Sequence, residues 1–171
     1  DIHTPMFVGS VDVYKRQTLL YAGIKDILII STPKDLPRYR DLLKNGSHLG
    51  IRIQFAEQPS PNGIAEAFLI GEKFIADDNV CLILGDNIFH GDSFKSQLDK
   101  SYKNLEKGFS TIYGYEVSNP KDFGVIEIDD NNDIYKIIEK PESTKSNLIV
   151  SGLYFYTNKV IQYAKKLNPS N

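Results

Sequence analysis

Val80-Cys81-Leu82-Ile83-Leu84, running into Gly85-Asp86-Asn87-Ile88-Phe89, is the stretch on which the fold turns. Five apolar residues without alternation make a strand covered on both faces, as in a parallel sheet lying between helices. The Gly-Asp-Asn turn ends it, and Phe94, Leu98, Tyr102 and Leu105 then recur at helical spacing up to Gly108. Upstream the alternation repeats. Leu19-Leu20-Tyr21-Ala22-Gly23 reads as the last turn of a helix, with Gly23 at the left-handed closing position. Ile27-Leu28-Ile29-Ile30 is a second buried strand, and Asp35 can cap a helix to Leu43 with Pro37 in its first turn and Gly46 closing it. Residues 51–55 alternate with period two and predict a half-exposed strand. After the turn-dense Gln58-Pro59-Ser60-Pro61-Asn62-Gly63, a helix is expected whose Ile64, Ala67, Phe68 and Ile75 share one face.

Beyond Gly108 the style changes. Residues 110–117, 125–128, 134–138 and Leu148–Tyr156 read as strands with short connections, and Asp129-Asp130-Asn131-Asn132 is a tight hairpin turn. The expected class is α/β: a Rossmann-like, mostly parallel sheet flanked by helices, with an antiparallel extension. Residues 168–171 follow a helical pattern from 159 to 167 and end it abruptly.

The 171 residues, 41% hydrophobic and 25% charged, fit one globular domain. A net charge of −2 gives no electrostatic reason for a nucleic-acid or anionic-membrane partner. No apolar run approaches the roughly 20 residues of a membrane helix. The single cysteine, Cys81, excludes an internal disulfide, suits a reducing cytoplasm, and lies in the most apolar strand, where a structural thiol is expected. His3, His48 and His90 are scattered without metal-ligand spacing.

Residues 1–17 show neither a helical nor a strand period and no secretion-signal layout. Val11-Asp12-Val13-Tyr14-Lys15-Arg16-Gln17 reads as a translated junction, with a divergent native arm as the alternative. The expectation is a non-native 1–17 and a partial domain over 18–171.

Three loops sit where an open α/β sheet binds ligands, beyond the carboxyl ends of strands. Asp86, after the most buried strand, could hold Mg²⁺ against phosphate oxygens, or simply cap the next helix. Gln58 has an amide suited to a pyrimidine edge, and Gly63 permits close backbone approach; taken alone, the loop reads first as a proline-stiffened turn. Glu139-Lys140-Pro141 could bind sugar hydroxyls and a phosphate, or be an exposed charged strand end.

Taken together, Ile30-Ser31-Thr32-Pro33, Gln58-Pro59-Ser60-Pro61-Asn62-Gly63, Gly85-Asp86-Asn87-Ile88-Phe89, Phe123-Gly124-Val125, Glu139-Lys140-Pro141 and Ser151-Gly152-Leu153-Tyr154-Phe155-Tyr156 resemble the sugar-phosphate nucleotidylyltransferases, and among them the glucose-1-phosphate thymidylyltransferases, in order and approximate spacing. The resemblance covers residues 18–171. It implies Mg²⁺-dependent joining of dTTP and glucose 1-phosphate into dTDP-glucose, with release of pyrophosphate, in a cytoplasmic enzyme that is a homo-oligomer, a tetramer, at full length. Carried over, Gln58 and Gly63 contact thymine, and Asp86 binds Mg²⁺ and nucleotide phosphate. Asn87, Gly124, Glu139 and Val150 hold glucose, and Lys140 contacts its phosphate.

The resemblance also marks departures. A first central strand, a glycine-rich loop with an arginine, and a catalytic lysine are expected near the start and are not recognisable in residues 1–17. A second metal-binding aspartate belongs beyond residue 171. No catalytic residue is therefore assigned, the sheet is expected to lack its first central strand, and the chain as given is expected to be inactive. Two alternatives stay open: a uridylyl- or other sugar-1-phosphate nucleotidylyltransferase, and a non-catalytic sugar-phosphate-binding piece. A dinucleotide-dependent dehydrogenase lacks support, because no Gly-x-Gly-x-x-Gly follows any strand.

Overall fold

Strands β1 (Thr4–Val8), β2 (Asp26–Ser31), β3 (Arg52–Glu57) and β4 (Val80–Leu84) run parallel in the order β3-β2-β1-β4. The computed structural model describes residues 22–89, 91, 93–131 and 133–167, together with the backbone of Thr4–Val8. Met6 stands in register with Leu28 on one side and Leu82 on the other, so β1 occupies the centre. The expectation of a missing central strand is thus corrected. Pro5, which removes a ladder donor, hid the strand in the sequence. Neighbours on both sides offer ladder partners, and that outweighs one lost donor. The rest of residues 1–17, and the predicted helix turn before Ala22, lie outside the described residues.

The chain divides into two compact units, residues 1–111 with 154–171, and residues 112–153. In the first, α1 (Leu36–Leu43), α2 (Ile64–Ile70), α3 (Glu72–Ile75), α4 (Phe94–Glu106) and α5 (Val160–Ala164) accompany the parallel strands. Ile29, Ile30, Leu82 and Ile83 are fully buried, as continuous apolar strands require. The single helix expected from Ile64 to Ile75 is two. Gly71, at φ −83° and ψ 0°, interrupts it, glycine being among the poorest helix formers. Gly108 closes its helix in left-handed backbone, at φ 84°. The expected closure of α1 at Gly46 is corrected: the helix ends at Lys44, itself at φ 49°, and Gly46, at φ 77°, opens a short 3-10 turn over Ser47–Leu49. Asp35 makes no side-chain cap; its carboxylate accepts from Thr32 Oγ1 at 2.7 Å instead.

In the second unit β6 (Gly124–Ile128) and β7 (Ile134–Glu139) form an antiparallel hairpin. Its turn is fixed by Asp129, whose Oδ1 accepts from the N–H groups of Asn131 and Asp133, each at 2.9 Å. β8 (Leu148–Tyr156) pairs antiparallel with β6 and also pairs with β5 (Thr111–Glu116), and it continues covalently into the first unit.

Candidate active site

β3 ends at Glu57, yet the ladder runs one residue further, because the Gln58 N–H donates to Ser31 O at 2.9 Å. This tether holds the half-buried Gln58 at the carboxyl rim of the parallel sheet. Its Nε2 donates to Glu66 Oε2 at 2.6 Å and makes a longer 3.4 Å contact with Gly63 O. Asn62 Nδ2 donates to the other carboxylate oxygen, Glu66 Oε1, at 2.8 Å. The hydrogen bond from Asn62, and then that from Gln58, holds the Glu66 carboxyl below its ordinary value, so it is ionised at neutral pH. Gly63 lies at φ +93°, with open space where a Cβ would point. The backbone therefore calls for glycine there, and the surface above it is clear.

Asp86 and Asn87 follow β4, Asp86 exposed and Asn87 half-buried. In the order β3-β2-β1-β4 the ends of β3 and β4 are three strand spacings apart, about 14 Å. Among the described residues no three His, Cys, Asp or Glu side chains are grouped to hold a metal. Mg²⁺ nevertheless prefers one or two carboxylates, with water and phosphate completing its shell, and the exposed Asp86 fits that arrangement. Cys81 is fully buried, and burial pushes its thiol far up, so it is no nucleophile.

In the second unit Gly124 and Glu139 are directly paired across β6 and β7. The pairing of Val125 with Ile149 places Val150 opposite Gly124 on its other side, so these three form one cross-strand row. A Cβ on Gly124 would stand 3.2 Å from Glu139 Oε2 and 3.6 Å from Val150 Cγ2. Glycine is thus what lets the Glu139 carboxylate lie across the strand. The Lys140 N–H donates to Phe123 O at 3.0 Å, and Lys140 then turns to φ +41° before the buried Pro141. That turn breaks the strict alternation of an extended strand and frees Lys140 from the face opposite Glu139.

The predicted residues therefore gather into two groups. Gln58 and Gly63 are joined at the end of β3, with Asp86 and Asn87 beyond β4 on the same sheet. Gly124, Glu139, Val150 and Lys140 cluster in the second unit. Glu66 and Asn62 were missed. Their signal was an acidic side chain in a helix's first turn, four residues after an amide and eight after another.

The family model described as Nucleotidyl transferase matches residues 5–171, and the chain belongs to that family. Over 166 residues it is 46% identical to a glucose-1-phosphate thymidylyltransferase of Neisseria gonorrhoeae, and 42% identical to one of Mycobacterium tuberculosis. Each alignment covers 97% of this chain and 57% of the relative, so the chain spans a little over half the length of the curated relatives it matches. A crystal structure from Bacillus anthracis, described as a candidate glucose-1-phosphate thymidylyltransferase in complex with sucrose, superposes at a TM-score of 0.86 with 27% identity. It covers 99% of this chain and is itself covered to 77%. A UDP-glucose pyrophosphorylase complexed with UDP-glucose has the same fold, at a TM-score of 0.76 and 18% identity, covering 99% of this chain and 81% of its own.

Proposed function

We propose that this chain carries the base-reading and sugar-phosphate-binding parts of a glucose-1-phosphate thymidylyltransferase. The observation that supports this most is Gln58, tethered at the sheet rim beside an open Gly63 with its amide held by Glu66. A fixed amide beside exposed backbone is what recognition of one base edge needs. The identity to thymidylyltransferases gives the reading its nucleotide and its sugar.

In this reading a phosphate oxygen of glucose 1-phosphate attacks the α-phosphorus of dTTP in line. The new P–O bond forms as the bond to the β-phosphate oxygen breaks, and pyrophosphate leaves with the electron pair. Gln58 and Gly63 position the thymine. In the second unit the Gly124–Glu139–Val150 row positions the glucose and Lys140 its phosphate, so that alignment supplies much of the rate. Asn87, in the first unit, is assigned to the sugar by the resemblance alone. Asp86 would hold Mg²⁺, and the bound ion would supply neutralisation of the charge that develops on the phosphates. We further place the protein in the cytoplasm as a homo-oligomer. The described residues include no helix long and apolar enough to cross a membrane.

The chain by itself is proposed to bind without turnover, because residues 1–17 show no glycine-rich loop with an arginine to stabilise the transferring phosphoryl group. Calorimetric titration with dTTP, UTP and glucose 1-phosphate in the presence of Mg²⁺, beside a coupled pyrophosphate-release assay, tests both statements. The expected result is dTTP binding, weakened by Asp86→Asn, with no pyrophosphate released. Failure to bind any of the three at millimolar concentration would overturn the function. Turnover that Asp86→Asn abolishes would overturn only the inactivity.

A further inference from the structure

We propose that Glu66 is a positioning residue that fixes the Gln58 amide as a pure acceptor toward the nucleotide, so that the site takes pyrimidines bearing an N3–H and refuses cytosine. This rests on the thymidylyl reading above and deepens it.

The charge on Glu66 decides which atom of Gln58 faces it. An ionised carboxylate only accepts, so the Gln58 atom 2.6 Å from Glu66 Oε2 must be the NH₂ nitrogen. Glu66 is ionised, since the hydrogen bonds from Asn62 and Gln58 both favour its charged form. The opposite orientation would set Gln58 Oε1 against a carboxylate oxygen, two acceptors in repulsion. The same NH₂ group also donates to Gly63 O, in a longer contact of 3.4 Å. Both donors of the amide are thereby turned inward, onto the turn and the helix that follows it. Oε1 is the polar atom left for a ligand. Glu66 is itself held in place, because Asn62 Nδ2 occupies its other oxygen at 2.8 Å and its own backbone sits in the first turn of α2.

A lone acceptor at a base edge has a definite chemical consequence. Thymine and uracil carry a hydrogen on N3 and can donate to Oε1. Cytosine has a lone pair at N3 and would face acceptor with acceptor. Were the amide free to rotate by half a turn, it would offer its NH₂ group to cytosine N3 equally well. Glutamine alone therefore cannot discriminate; glutamine locked by Glu66 can. A site built to hydrogen-bond one group rejects an analogue lacking it, because the site's own polar atom is left unpaired.

The test is the dTTP-to-CTP affinity ratio of this chain, measured by titration for the native sequence, Glu66→Leu and Glu66→Gln. Glu66→Leu keeps the bulk and removes both acceptors, so the ratio should fall about tenfold while glucose 1-phosphate affinity stays unchanged. Glu66→Gln retains a carbonyl oxygen that can accept from Gln58, so it should keep most of the preference. A 3-methylthymidine triphosphate, which has no N3–H, should bind the native chain about tenfold more weakly than dTTP and Glu66→Leu with a smaller penalty. The side-chain NH₂ resonance of Gln58 should also move in Glu66→Leu, and folding is checked by the dispersion of the same spectrum. A dTTP preference that survives in Glu66→Leu, or an unmoved Gln58 resonance, overturns this inference and leaves the thymidylyl reading standing. Absence of any nucleotide binding in the native chain overturns both.

Discussion

At Gly124 the side chain is a single hydrogen, and this sets how near Glu139 can lie. A methyl at that position would meet Oε2 at 3.2 Å, closer than nearly all real contacts, and the flexible carboxylate would yield first. Stability should then change little, within about ±0.5 kcal/mol, because the displaced atom is the exposed end of a long side chain. Sugar binding should change more, since the carboxylate is a strong acceptor whose strength depends on placement. Gly124→Ala is therefore expected to weaken glucose 1-phosphate by several-fold and leave dTTP unaffected, as two parallel titrations would show. Equal losses for both ligands would mean that Gly124 supports the hairpin and not a sugar. This row was legible in the sequence only as three separate motifs, through a resemblance. Their alignment across β7, β6 and β8 depends on a strand register that no local spacing encodes.

Elements with strong periodicity were read well, and those set by backbone geometry were not. Val80–Leu84 ends where its apolar pattern ends, because burial on both faces leaves no alternative, and Leu148–Tyr156 has its buried run from Gly152 to Phe155. Residues 64–75 were read as one helix because the apolar face continues across Gly71, whereas the backbone stops there. A related feature was invisible: Ala76, which closes α3, sits at φ +48° and ψ −119°, a conformation that costs a residue with a Cβ roughly 1–3 kcal/mol. It is held by its N–H donating to Glu72 O at 2.9 Å and by Asn158 Nδ2 donating to its carbonyl. Ala76→Gly keeps both bonds and removes the strain, less the extra entropy of an unfolded glycine. The variant should be more stable by about 0.5–1 kcal/mol, read as a rise of about 2 °C in Tm. A fall would show that the chain enters this turn with a negative φ.

Across the whole molecule the decisive strand is the one with the poorest sequence signal. Thr4–Val8 runs parallel to β2 and β4 at once, with Phe7 in register with both Ile29 and Ile83. A strand so placed has every backbone donor and acceptor directed at one neighbour or the other, and without it two buried strands would each expose an edge to water. Pro5 already lacks one donor near the start, where a strand tolerates it. Met6 is a different position. Met6→Pro would delete the donor at mid-strand, leave a buried carbonyl on β2 or β4 unpaired, and press the proline ring against the ladder. The expected cost is about 3 kcal/mol, a fall of about 6–12 °C in Tm for a chain of this size. Met6→Leu, which alters the side chain and keeps the N–H, should cost less than about 1.5 kcal/mol and so separates the ladder from packing. Thermal unfolding followed by far-ultraviolet circular dichroism compares the two directly. If Met6→Pro unfolds within 1 °C of the native chain, Thr4–Val8 is not the central strand, and the parallel sheet is held together across β2 and β4 by some other segment.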